Sequence, residues 1–521
     1  MLRPLFAVAL YLTFMPLAIS AQTSIASGNV LAKKTATTPV TLTVYDRTRV
    51  LATEQFAATP HAEQYGYLES LLRVGLQQRV QHFDWLLELS QSSVLLLPND
   101  AVSPIAAQGQ LGLGGTYYAS NGNNTEAAAA SFKQGFLRYH FSRDANTVRL
   151  GRFEFFDGQE TQPKNATLAW LQANRVANRL VSNFGFTTGQ RSFDGADAHV
   201  GGANWDLTGM AARADQGVYN MNANPELNVD LQYLAYTRYA WKGRVQVRGF
   251  AIDYHDGRTG VVKTDNRALA VRTADHRNIR IGSYGANAAA AIPAGKGTVD
   301  LMFWGVLQNG QWGALDHRAG AVAVEGGYRA ITVLTQPWLR GGFLRSTGDN
   351  NPADGEHNTF FQVLPTPRLY ARFPFFNMMN SSDQFVQLMD RPAKKLDVRT
   401  DLHFLQLTSG KDLWYQGGGA FDNKVFGYTG RPGNGKSSFA SLYDVSADYA
   451  LTPQVALAAY YGKAFGRSVV RAIYPRTSEA QFGYFEVAYR FNRPFGAGGV
   501  KVGLTPLGAV VANLVGAQIE M

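Results

Sequence analysis

Segment after segment of this chain alternates apolar and polar residues with a period of two, as strands do when their two faces meet different surroundings. In residues 67–80 one face carries Leu68, Ser70, Leu72, Val74 and Leu76, and the other Glu69, Leu71, Arg73, Gly75, Gln77 and Arg79. Phe83, Trp85, Leu87 and Leu89 oppose Asp84 and Glu88, and Gly135, Leu137, Tyr139 and Phe141 oppose Gln134, Arg138 and His140. Later, Val398, Leu402 and Phe404 oppose Asp397, Arg399, Asp401 and His403, while Tyr443, Val445, Ala447 and Tyr449 oppose Asp444, Ser446 and Asp448. Residues 481–491 close the series, with Phe485, Val487, Tyr489 and Phe491 opposite Tyr484, Glu486 and Arg490. A soluble sandwich also alternates, but its inner face must meet another sheet. Charges of both signs packed on one face at matched depth suit a wet lumen, with the apolar face turned to lipid. The pattern therefore predicts an all-β fold: a transmembrane antiparallel β-barrel of about eighteen strands, with sixteen the nearest alternative.

The start of the chain supplies the route to an outer membrane. Arg3 precedes an apolar run over 5–17 and small residues at 18–21. This reads as a signal peptide, residues 1–21, too short to cross a bilayer. Residues 22–39 read as a periplasmic lead-in, 40–493 as the barrel, and 494–521 as a tail of unassigned role. The lead-in is far too short for the plug that a receptor of metal chelates would need. Charged residues make up 17% of the chain, below the soluble average of about 25%. A mean hydropathy of −0.17 excludes a helical membrane protein but not a barrel. With no cysteine, closure of the barrel must supply stability. The net charge of +10 favours an anionic partner. Export and the lack of a dense Lys/Arg run argue against nucleic acid and leave outer-membrane lipid, lipopolysaccharide or an anionic solute.

Two stretches break the alternation. Leu168, Leu171, Val176, Leu180 and Phe184 recur near helical spacing and predict one short helical insert over 166–184, with Arg175 and Arg179 four apart. It either folds into the lumen or packs at the rim. Residues 348–380, rich in Pro and aromatics, form a loop too long for a passive turn. Gly430 to Ser437 spells the phosphate-loop pattern, but a strand pattern follows where a helix is needed, and Pro432 removes an amide. Asp349, Asn351, Asp354 and Glu356 offer oxygen ligands at a spacing that fails the calcium loop, so a turn is the expectation. His255, His276, His317 and His357 share no ligand spacing and read as solvated loop residues. No Ser-His-Asp arrangement is legible. Neither metal, cofactor nor catalysis is expected.

Longer segments carry more than a pattern. They include residues 151–158 (GRFEFFDG), 167–171 (TLAWL), 191–195 (RSFDG), 348–355 (GDNNPADG), 360–370 (FFQVLPTPRLY), 373–380 (FPFFNMMN), 412–415 (DLWY) and 427–432 (GYTGRP). Together they resemble the alginate export family of outer-membrane proteins, over roughly residues 40–491. The resemblance implies an eighteen-stranded monomeric barrel whose arginine-rich lumen passes a polyuronate, alginate. It also implies a terminal strand, ending here at Phe491, that the barrel-insertion machinery reads. On predicted inward faces lie Arg47, Arg49, Arg73, Arg79, Arg138, Arg152, Arg238, Arg399 and Arg490, with Glu154, Asp397 and Asp401 among the carboxylates beside them. These are the candidate pore-lining residues. A ladder of guanidinium groups suits a polyanion, because each fork pairs a carboxylate bidentately and stays charged. The alternative is that arginines such as Arg73 and Arg79 only neutralise Glu69, Glu88 and similar partners. The expected function is passive passage of an anionic polysaccharide or smaller anion, with a general or substrate-specific uptake porin as the rival.

Overall fold

The structure, a computed structural model, describes residues 37–57, 63–103, 109–366 and 370–495. The expected signal peptide, all but residues 37–39 of the lead-in, and all but residues 494 and 495 of the tail lie outside the described residues. The strands run in chain order as β1 (Thr41–Glu54), β2 (Gln64–Val80), β3 (Phe83–Leu95), β4 (Ala127–His140), β5 (Thr147–Phe153), β6 (Phe193–Gly201) and β7 (Trp205–Asp215). Then follow β8 (Glu226–Ala240), β9 (Val245–Asp256), β10 (Ile279–Ala294), β11 (Gly297–Trp312), β12 (Leu315–Arg329), β13 (Trp338–Ser346) and β14 (Glu356–His357). The last are β15 (Ser381–Ala393), β16 (Leu396–Leu407), β17 (Leu413–Gly417), β18 (Tyr428–Pro432), β19 (Ser438–Ala450), β20 (Val455–Gly466) and β21 (Glu479–Pro494).

Eighteen of these form a closed antiparallel barrel; β14 and the β17–β18 ribbon belong to inserts. Closure comes from β1, which pairs with β2 on one side and with β21 on the other, from Thr41 opposite Pro494 to Glu54 opposite Gln481. Closure removes the open sheet edges that lipid would not tolerate. Leu87, Leu150, Leu234, Leu307 and Leu339 stand exposed on the outer face, where acyl chains cover them. Among the described residues no helix is long and apolar enough to cross a membrane, so the strands do the crossing.

The two ends differ. Short turns at 81–82, 295–296 and 394–395 share an end with the start of β1 and the finish of β21. The opposite end carries the connections 96–126, 154–192, 347–380 and 408–437. Short turns are periplasmic and long loops extracellular in bacterial barrels. The long connections fold inward. Phe56, Phe375, Trp414 and Phe439 stack there, with Phe375 and Phe439 centroids 5.2 Å apart and Trp414 and Phe439 4.7 Å apart.

The predicted insert helix is shorter than its apolar spacing suggested. Asn165 caps it, its side chain accepting from the amides of Thr167 at 3.0 Å and Leu168 at 3.1 Å. The α-helix covers Ala166–Leu171, and one wide turn, Gln172–Val176, ends it. Asn178 is left-handed at φ 66°, and beyond it Val181 forms a parallel bridge with Leu364. The amide of Leu364 donates to Leu180 at 2.7 Å, that of Ser182 to Leu364 at 2.8 Å, and that of Thr366 to Asn178 at 3.0 Å. Pairing with the 347–380 insert therefore replaces helix over 177–184. Leu168, Leu171, Val176, Leu180 and Phe184 are all buried, which places this insert in the lumen and not at the rim. Gly430 lies in β18, antiparallel to β17, and β19 follows without a helix, so the phosphate-loop pattern has no phosphate-loop geometry.

Candidate conduit

Strand parity sorts the candidate arginines before any contact is considered. Along β1, Tyr45, Arg47, Arg49 and Leu51 share the inner face; along β2 so do Glu69, Arg73 and Arg79. Asp397, Arg399 and Asp401 face inward from β16, and Glu486 and Arg490 from β21. With the 154–192 insert as roof, Tyr45, Arg47, Arg49, Arg73, Asp397, Arg399, Glu486 and Arg490 line a cavity of about 500 Å³ in the periplasmic half of the lumen. Eight arginines (47, 49, 73, 329, 372, 391, 399 and 490) and five carboxylates (Glu154, Asp390, Asp397, Asp448 and Glu486) line it, a formal excess of three positive charges.

Some of these charges, Arg47, Arg49 and Arg73 among them, also hold the roof in place. Arg47 donates to three successive carbonyls of the insert, Gly185 at 2.7 Å, Phe186 at 3.1 Å and Thr187 at 2.9 Å. Its hydrogen-bond partners here are neutral carbonyls. Arg49 pairs with Glu69 at 3.3 Å and with Glu486, and its guanidinium lies 4.2 Å over the Phe186 ring. Arg73 bridges Glu88 and Glu154, the latter at 2.8 Å, and Lys133 reaches Glu154 at 3.4 Å. Glu154 is the first residue of the insert. Burial works against its charge, but Arg73 and Lys133 outweigh that and hold its carboxyl down at about 2. Arg399 pairs with Asp401 and donates to the Tyr370 carbonyl at 2.6 Å. Asp397 accepts from Arg391 at 2.7 Å, and Arg490 lies 5.3 Å over the Tyr45 ring. Nearer the periplasmic turns, Arg79 pairs with Asp144, and Arg138 approaches Asp84 at 3.6 Å. Both face the lumen outside the cavity.

Two expected lumen arginines face out. In β5 the inner face is Thr147, Arg149, Gly151 and Phe153, so Arg152 shares the outer face with Val148 and exposed Leu150. It donates to Asp194 at 2.7 Å and begins an external row that continues with Arg213 and Asp230, 2.8 Å apart. Asp230, opposite Arg213, belongs to this row. Arg238 shares its face with exposed Leu234 and Tyr236 and projects outward near the periplasmic turn. A long guanidinium stem there lies along the apolar wall and carries its charge to the headgroups. In both strands the observed register, and not the expected one, sets the face.

The structure also brings together residues that no pattern joined. Glu325 of β12 meets Arg175 at 3.4 Å, Arg179 at 3.4 Å and Arg340 at 3.0 Å, and Arg340 meets Asp300 at 3.0 Å, all fully buried. Burial lowers the Arg175 guanidinium to about 10, still charged at neutral pH. A second latch joins Arg248 of β9 to Asp157 and Glu160 of the insert. The isolated carboxylate in the alternation Ala321, Ala323, Glu325 was the available signal. His317 and His357 were expected to be solvated. Both are buried, Nδ1 to Nδ1 at 2.9 Å, with His357 stacked 4.0 Å from Trp312. His276 does lie exposed on the outer rim. The Asp349 carboxylate accepts from the Asn351 amide at 2.8 Å, and that of Asp354 from the Glu356 amide at 3.0 Å, as turn residues do.

The family model described as Alginate export matches residues 96–483. The chain belongs to the alginate export family. It is a channel protein of the bacterial outer membrane. Among solved structures, Acinetobacter baumannii OccAB1 superposes with a TM-score of 0.55 at 10% identity, covering 87% of this chain and 96% of that one. The Pseudomonas aeruginosa outer-membrane protein OpdK superposes at 0.53 with 8% identity, covering 87% and 99%. OpdK with vanillate gives 0.52 at 9% identity, covering 87% and 99%. At these identities the likeness is one of fold. A search of curated protein sequences returns no match.

Proposed function

We propose that this family member passes an anionic polysaccharide such as alginate, or a related anionic solute, by passive diffusion and without catalysis. The observation that carries the reading is the cavity lining, with its formal excess of three positive charges. Passage needs attraction strong enough to admit a solute and weak enough to release it. Carboxylates beside most of the arginines supply the weakening, and Arg47, bound to carbonyls, supplies net attraction. The barrel acts as a monomer among outer-membrane lipid and lipopolysaccharide, with its terminal strand serving the insertion machinery.

The test is single-channel recording in planar bilayers under a salt gradient, with oligouronates added to one side. Anion selectivity with uronate-dependent block is the expected result. Loss of selectivity in Arg399→Gln and Arg490→Gln follows from the same reading. Weak selectivity without block overturns it. A second reading is uptake of a small carboxylate. It is favoured by the packing of the inserts into the extracellular half of the lumen, and by the structural neighbour OpdK being seen with vanillate. Block by a monomeric aromatic acid and not by oligouronates would select it.

A further inference from the structure

Four inward residues of adjoining strands β15, β16 and β19, Asp383, Asp401, His403 and Asp444, form a buried cluster beside the conduit. Asp401 stands directly opposite Asp444 across the β16–β19 pair, with His403 two residues further on. Asp401 is 2% exposed, His403 0% and Asp444 3%. One nitrogen of His403 and one oxygen from each of the two carboxylates lie within 4.8 Å of one another. Like charges facing each other across a strand pair repel, the more so when buried. Asp401 gains Arg399 and the Gln387 amide, while Asp444 gains the Tyr460 hydroxyl at 3.3 Å.

Against the three carboxylates Asp383, Asp401 and Asp444 the cluster sets one guanidinium, Arg399, and the His403 imidazole. His403 Nδ1 is committed to Asp383 at 2.9 Å. That bond fixes the ring and leaves Nε2, fully buried, with no hydrogen-bond partner. Asp383 Oδ1 and Gln387 Oε1 are likewise buried and without partners. In the neutral ring with Nδ1 as donor, all three orphaned atoms are acceptors, a set that a bound cation satisfies. A histidine held through one nitrogen by a carboxylate, with the other nitrogen available, is the arrangement that orients imidazole toward a metal. One imidazole and two carboxylates suit a first-row divalent cation better than the all-oxygen shells of Mg²⁺ or Ca²⁺.

We propose that Asp401, His403 and Asp444 bind one divalent transition-metal cation of the Zn²⁺ type within the barrel wall. Two positive charges there cancel the opposed carboxylates and give Nε2 its partner. Arg399, which lines the cavity and touches Asp401, stands between the cluster and the lumen. Metal on Asp401 weakens its hold on Arg399 and turns more of that charge toward the cavity.

The full chain, purified in detergent and stripped with a chelator, is titrated with ZnCl₂, and its metal content is measured after gel filtration. One Zn²⁺ per chain, retained against excess Mg²⁺, is expected. His403→Gln should abolish retention, and Asp383→Asn should weaken affinity about 10- to 100-fold. Should these variants not fold, zinc-edge absorption on the wild-type protein decides, since an imidazole in the shell supports the site and an all-oxygen shell overturns it. No retained zinc, or equal affinity in folded His403→Gln, also overturns it. These outcomes are independent of which solute passes the conduit.

Discussion

Removing the carboxylate of Glu325 should loosen the roof of the lumen. Glu325 is the anion that Arg175, Arg179 and Arg340 share, and it also accepts from the Tyr370 hydroxyl at 2.8 Å. In Glu325→Ala three buried guanidinium groups lose that counter-charge at once. Taking one partner from a buried ion pair costs about 3–5 kcal/mol. At about 1.4 kcal/mol per decade, the ratio of docked to undocked insert falls by roughly two to three and a half powers of ten. The strands themselves keep their hydrogen bonds, so the barrel should still assemble. The variant should therefore show larger or burst-like conductance in planar bilayers, together with earlier thermal unfolding on a heat-shift gel. Glu325→Gln, which keeps the shape and one acceptor oxygen, should lie between it and wild type. Replacing Arg175, Arg179 and Glu325 together by methionine should restore much of the closed behaviour, because an apolar set removes the burial cost along with the pair. Wild-type conductance and wild-type unfolding in Glu325→Ala would refute the idea that this latch holds the insert.

Three further outcomes follow. Arg152→Gln and Arg238→Gln should leave ion selectivity unchanged, since both side chains lie on the outer face; a shift in reversal potential would show the register to be wrong. Burial, with His317 beside it, pushes the His357 imidazole well below its ordinary value, so His357 is neutral when folded. The unfolded side chain takes a proton below about pH 6.5, so stability is full above that pH and is lost as pH falls through it. Unfolding temperature should drop on acidification from pH 7 to 5, less steeply in His357→Gln; equal slopes would contradict this. Gly427 sits at φ 102°, where a Cβ would strike the Gly419 carbonyl. Gly427→Ala should cost at least about 1–3 kcal/mol of strain, read as an earlier heat shift, whereas Gly435→Ala, in open space, should cost less.

Much of the fold was legible because a lipid-exposed wall imposes one rule on every strand. Leu87 and Glu88, or Phe404 and His403, can alternate over that length only if one side is oil and the other is not. The eighteen strands and their antiparallel order follow from that rule together with the short turns. The candidate site was legible only where a charge fell within an unbroken alternation, as Arg47, Arg49, Arg73 and Arg399 do. Arg152 is hard to place from pattern alone because its strand is only seven residues long and Gly151 beside it takes φ 125°, so few neighbours fix the register. Local spacing could not end the insert helix at Val176, because what ends it is a backbone ladder to Leu364, nearly two hundred residues away. The pairing of His317 with His357 and the sharing of Glu325 by three arginines are likewise contacts between distant segments. Period and composition set which residues line a wall. Which of those charges cancel, which hold the roof and which face the solute is decided by distances of a few ångströms between strands, and those exist only once the barrel has closed.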